Sequence, residues 1–232
     1  MHPGILKPSH HSSINSPEEL LQAYTALFIF LGGSVSMSPE ESGLPHMCDS
    51  GMLRNLPVES HNTNYGKASH LLRSPCPFKQ QCHHTVSGNY DSLLTGERSA
   101  YAYPAASRWN GSDKVSETTA RGHHAMVGRI YSQYGYSTAQ DCSLEPDHLG
   151  VELLFVNLLL EKYLTEDDTR VKKNIQKDLL DFIDGEMLSW LPRWAEEVSE
   201  KSVTKCYTGI SGLIIGALED VRDILSDQKL GL

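Results

Sequence analysis

The 232-residue chain contains no Cys-x-x-Cys pair, no His-Glu-x-x-His pattern and no glycine loop ending in Lys-Ser or Lys-Thr. The first two absences exclude the common zinc knuckles and the helix-borne catalytic zinc site, whose ligands need those spacings to share one ion. The third excludes a P-loop, because Gly32-Gly33 is not followed by the Lys and hydroxyl residue of a phosphate cradle. No Ser-His-Asp triad can be assembled. Alternation of apolar and polar residues, the mark of a half-buried strand, is missing throughout. Basic residues are scarce: 20 Lys and Arg face 29 Asp and Glu, a net charge of −9 with His neutral. Phosphate backbones and anionic membranes repel such a surface, which excludes nucleic-acid and membrane-surface binding and favours a partner bearing Arg or Lys.

What is present is an ordinary globular composition. Residues of the AVILMFWYC set make up 39% of the chain, enough to exclude a wholly disordered protein, and the length suits one large domain. The five cysteines (48, 76, 82, 142 and 206) are an odd number, which points to reduced thiols in a reducing compartment. The longest apolar stretch, Leu20 to Leu31, is preceded by Pro17, Glu18 and Glu19 rather than by a basic segment. It is neither a secretory signal nor long enough to span a bilayer, so a soluble, cytoplasmic protein is expected.

Residues 1–15, rich in His, Ser and Pro, read as a flexible tail, and residues 16–228 as a single all-α helical domain. Ser16-Pro17-Glu18-Glu19 predicts a capping box, opening a helix that Gly32-Gly33 should stop near Leu31. The 34–90 segment, broken by Pro39, Pro45, Pro57, Pro75 and Pro77, is expected to be irregular and loop-rich, with short helices near 50–56 and 66–73. Beyond it, helices are predicted over about 117–134, from Glu145-Pro146 through Leu160, over 167–184 and over 202–226. Gly209, Gly212 and Gly216 share one stripe of the last helix and allow close helix approach.

Several residues could carry chemistry. Asp147 and His148 stand where a helix starts, and read either as its caps or as part of a binding site in which Asp147 pairs with a guanidinium. Glu152 lies four residues after His148, on the same helix face. Pro104, Ser107 and Trp109 read as a turn with one buried aromatic. Trp190 and Trp194 read as core. Cys76, Cys82, His83 and His84 offer four soft ligands in a short stretch, read either as a polar loop or as a metal site. His123 and His124 point about 100° apart on a helix, so at most one of them is expected to join any cluster.

Three segments resemble the TorD/DmsD/NarJ family of redox-enzyme maturation chaperones. These are Tyr103-Pro104-Ala-Ala-Ser107-Arg-Trp109, Glu145-Pro146-Asp147-His148-Leu-Gly-Val-Glu152-Leu-Leu-Phe155, and the segment from Phe182 to Trp190-Leu-Pro192-Arg-Trp194. The helix bearing Tyr24 and the last helix, with Tyr207, are similar to the family's first and last. Glu186 stands where the family often has His, and Trp194 where it often has Phe.

The resemblance implies a TorD-like helical bundle that is not an enzyme and carries no cofactor of its own. It would be a cytoplasmic chaperone for a molybdopterin oxidoreductase of the DMSO reductase family. Its partners would be the twin-arginine signal peptide and the apo catalytic subunit of that enzyme, with export delayed until the cofactor is inserted. Signal-peptide contacts are expected at Tyr24, Pro104, Ser107, Trp109, Pro146, Asp147, His148 and Glu152. The family also exchanges helices between protomers, so a monomer or an exchanged homodimer is implied. A metal-binding helical protein using the Cys76/Cys82/His83/His84 cluster is the alternative.

Overall fold

Ser16 starts the first helix as the sequence predicts: its Oγ accepts from the Glu19 N–H at 3.1 Å, and the Glu19 carboxylate accepts from the Ser16 N–H at 3.3 Å. This helix, α1 (Pro17–Ser36), does not stop at Gly32-Gly33 as expected. Gly32 instead lies against Gly150 of α8 (Leu149–Thr165), where a Cβ on Gly150 would stand 2.6 Å from Ser36 Cβ and 3.1 Å from the Gly32 oxygen. A tertiary crossing therefore uses the glycines that a local rule reads as a terminator. So extended, α1 is long and apolar enough to cross a membrane by length and composition alone, a correction to the shorter stretch read from the sequence. Here Leu21, Leu27, Phe28 and Leu31 are buried in the core.

The computed structural model describes residues 16–74, 76–78, 81–95, 101–110, 117–137 and 143–230. The tail predicted for residues 1–15 lies outside these. The 34–90 stretch is more helical than its composition implies. It holds α2 (Pro39–Ser42), α3 (Leu44–Ser50), a 3-10 turn at Met52–Arg54, α4 (Thr63–Arg73) and most of α5 (Cys82–Leu93). Asn62 caps α4, accepting from the N–H groups of Asn64 and Tyr65. Its buried face, Tyr65, Ala68, Ser69 and Leu72, packs on the glycine stripe of α11 (Lys205–Leu230). A Cβ at Gly209 would meet Leu72, one at Gly212 would meet Ala68, and one at Gly216 would meet the Tyr65 backbone. The close approach predicted from that stripe is what the structure contains.

A short helix, α6 (Ala106–Trp109), leads to α7 (Glu117–Gln133), and α8 then runs through the centre, buried on most sides. Tyr131 of α7, Phe155 of α8 and Phe182 of α9 (Thr169–Phe182) stack at centroid distances of 4.6 to 6.3 Å. A π turn (Ile183–Met187) leads to α10 (Leu191–Lys201), and Trp190 and Trp194 lie wholly inside the core. Among the described residues there is no strand, only one antiparallel bridge, Ala105 to His148. The fold is all-α.

The expectation of free thiols is corrected. Cys48 of α3 is bonded to Cys206 of α11, and Cys76 to Cys82; Cys142 lies outside the described residues.

Candidate functional site

Two of the recognised segments are laced together by their backbones. The Ala106 N–H donates to the Asp147 carbonyl at 3.0 Å, and the Leu149 N–H donates to the Pro104 carbonyl at 2.8 Å. Ser107 adds a third link, its N–H donating to Asp147 Oδ2 at 2.7 Å, so a carboxylate distant in sequence caps the first turn of α6. Trp109 Nε1 donates to the Tyr103 carbonyl, and the third segment joins through Trp194 Nε1, which donates to the Ala102 carbonyl at 2.8 Å. Arg193 donates to the Trp109 carbonyl. All three segments thus meet around residues 102–109.

Asp147 and His148 are both buried. His148, not Pro146, precedes the first helical residue of α8. Its Nδ1 accepts from the Gly150 N–H at 3.1 Å, which requires a neutral ring, and burial lowers its pKa to about 4 despite the Asp147 charge beside it. The helix predicted to open at Glu145-Pro146 therefore begins at Leu149. Pro146 is half-buried in the preceding turn, and its carbonyl accepts from Tyr131 Oη at 2.8 Å.

Glu152 has no solvent exposure, and neither of its oxygens finds a hydrogen bond among the described residues. Burial, with Asp147 and Glu186 nearby, raises its pKa well above the usual carboxylate range and so favours the protonated acid. The same surroundings push the Tyr131 hydroxyl up.

Both imidazoles of the His123-His124 pair reach the one carboxylate of Asp147. His124 Nε2 lies 2.9 Å from Oδ1, and His123 Nε2 lies 3.9 Å from Oδ2 and 4.0 Å from Glu186 Oε2. The expectation that at most one could take part is corrected: neighbours about 100° apart on a helix can flank a single side chain when it points between them. The π turn presents Glu186 to this cluster by adding a residue to the α9 spiral. Glu145, half-buried, completes it on the loop side. Glu145 and Glu186 were not among the residues expected at the site, although Glu186 was marked by standing where the resembled family often has His.

Tyr24 is placed elsewhere: it is buried in α1, and its hydroxyl donates to Asp220 of α11 at 2.5 Å. Pro104 and Ser107 are buried and Trp109 half-buried. Cys76 and Cys82 are engaged with each other, and His83 is exposed beside Glu40, so as they stand the four side chains Cys76, Cys82, His83 and His84 do not form one ligand set. Cys48, Cys76, Cys82 and Cys206 do line one small cavity, together with Leu72 and Val86. A larger concavity of about 530 Å³ opens at the far end of α7, between Tyr134, Lys162, Glu166, Val171, Ile175 and Asp178.

A family model described as nitrate reductase delta subunit matches residues 59–196, a stretch that holds all three segments and the whole buried cluster. The chain is also similar to a chaperone protein TorD of Vibrio parahaemolyticus serotype O3:K6 (strain RIMD 2210633). The two are 26% identical over 88 residues, covering 38% of this chain and 40% of the relative. The match thus spans well under half of that curated relative.

Proposed function

The chain belongs to the nitrate reductase delta subunit family, and from that premise we propose that it is a chaperone in the assembly of a molybdopterin-containing oxidoreductase. It acts in the cytoplasm and performs no catalysis of its own. It binds the twin-arginine signal peptide of the apo catalytic subunit and holds back export until the cofactor is in place.

The observation that carries this reading is the carboxylate cluster of Asp147, Glu145 and Glu186 at the point where the three segments meet, on a chain of net charge −9. Asp147 lies beneath the surface, whereas Glu145 and Glu186 are half-buried. The guanidinium groups of the peptide approach through those two acids, with the Asp147 charge behind them. Guanidinium suits such a site because its planar fork forms two parallel bonds to one carboxylate, which a lysine ammonium cannot do. Half-buried Trp109 and its neighbours offer apolar surface to the segment that follows the arginines, and that burial contributes about 25 cal/mol per Å². The charge of the whole chain speeds encounter, and only this electrostatic part weakens with salt.

The test is calorimetric titration of the purified chain, in chelator-containing buffer, with a twin-arginine signal peptide and with its Lys-Lys variant. The Arg-Arg peptide should bind the more tightly, and Asp147→Asn should weaken it. That substitution keeps an oxygen for the Ser107 N–H and removes only the charge. Equal affinity for both peptides, or none for either, overturns the proposal.

A further inference from the structure

One ligand atom each from His124, Glu145 and Asp147 lies within 4.8 Å of the other two. The His124 Nε2 to Asp147 Oδ1 distance is 2.9 Å, within ion-pair reach, and neither atom has a hydrogen-bond partner. An imidazole nitrogen and a carboxylate oxygen this close, with a Glu145 oxygen beside them, face the same space as ligands of one cation do. The Asp147 side chain is fully buried, and its other oxygen is fixed by the Ser107 N–H, so Oδ1 cannot turn toward water. His123 Nε2, also without a hydrogen bond, stands on the opposite side of the same carboxylate.

We propose that His124, Glu145 and Asp147 bind a divalent first-row transition-metal ion of the Zn²⁺ class in mixed nitrogen and oxygen coordination. An imidazole with two carboxylates suits a borderline ion; Mg²⁺ and Ca²⁺ prefer oxygen alone, and thiolate-seeking ions find no sulfur here. Bonds of about 2.0–2.2 Å place ligand atoms roughly 3–4 Å apart, which small side-chain rotations achieve from the present positions. The ion offsets the cost of burying the Asp147 carboxylate close to Glu186 and Glu152. It also ties α7 to the loop that caps α6, so the three laced segments acquire a common fastening. The site shares Glu145 and Asp147 with the peptide-binding proposal, but its test contains no peptide, so failure of one is distinguishable from failure of the other.

The full chain, stripped with chelator and then freed of it, is titrated with Zn²⁺ and with Co²⁺. The readouts are calorimetry, the melting temperature and the visible spectrum of the Co²⁺ form. A single ion per chain is expected, with a raised melting temperature and only the weak d–d bands of nitrogen and oxygen ligands. Glu145→Gln and His124→Gln should each lower affinity by roughly tenfold or more. Glu145 is half-buried, so its variant carries the test should His124→Gln fail to fold. No saturable binding, affinity unchanged in Glu145→Gln or in a folded His124→Gln, or a thiolate-to-cobalt charge-transfer band from the cysteine-lined cavity would each overturn the assignment.

Discussion

At the scale of single residues, the buried cluster holds two groups whose protonation is set in opposite senses. His148 is neutral and has a pKa of about 4, against an ordinary 6.5. Between those values the unfolded chain takes up a proton that the folded chain refuses. Its contribution is therefore complete above pH 6.5 and shrinks as pH falls toward 4, by roughly 3 kcal/mol in all. Glu152 is the reverse, with a pKa raised above its ordinary 4.5, so its contribution is complete below pH 4.5 and is lost as pH rises. Glu152→Gln should accordingly gain stability relative to the parent as pH increases from 4.5. Its acid-side loss should also be steeper than that of the parent, because the compensating group is gone. Urea midpoints measured in metal-free buffer across pH 4 to 7.5 check both signs. A constant offset at every pH would show that Glu152 is ionised in the folded chain.

At the scale of elements, what could be read from the sequence is what local chemistry alone decides. The Ser16 capping box, the amphipathic α9 and the start of α7 near Glu117 follow from spacing and caps within a few residues. The misses occurred where another element intervened. Gly32-Gly33 continues as helix because α8 crosses there; the short helix expected near 66–73 is present as α4 but starts earlier, at Thr63, and its buried face of small residues such as Ala68 and Ser69 is matched to glycines far along the chain. Asp147 and His148 stood out through the three-segment resemblance, whereas the roles of His123, His124 and Glu145 depend on a loop folding back onto α7, which no local pattern encodes. The glycine stripe gives a graded prediction. Gly216→Ala places a Cβ against the Tyr65 backbone, which cannot move aside, and should cost about 2–3 kcal/mol despite the better helix propensity of Ala. Gly128→Ala on α7, where nothing lies within 4 Å, should stabilise by up to about 1 kcal/mol. Thermal melts of the two variants beside the parent check the ordering.

At the scale of the whole molecule, the first and last parts of the described chain are fastened to each other. Tyr24 bonds Asp220, Asn62 and Asn64 both donate to Glu219, and Cys48 joins Cys206 across 158 residues. A cross-link over so long a loop restricts the unfolded ensemble strongly, so its reduction should lower stability by about 2–4 kcal/mol. Melting with and without reductant, beside Cys206→Ser, measures this: reductant should lower the parent's melting temperature toward that of the variant, and the variant should respond less. Cys76–Cys82, closing a loop of only 6 residues, should contribute much less.

The seating of α4 and α1 on α11 bears on the order of events during translation. Until residues 205–230 have left the ribosome, Leu72, Tyr65 and Tyr24 lack the surface they are shaped to meet. The nascent polypeptide must therefore wait with that flank uncovered until the segment bearing Gly209, Gly212 and Gly216 has emerged.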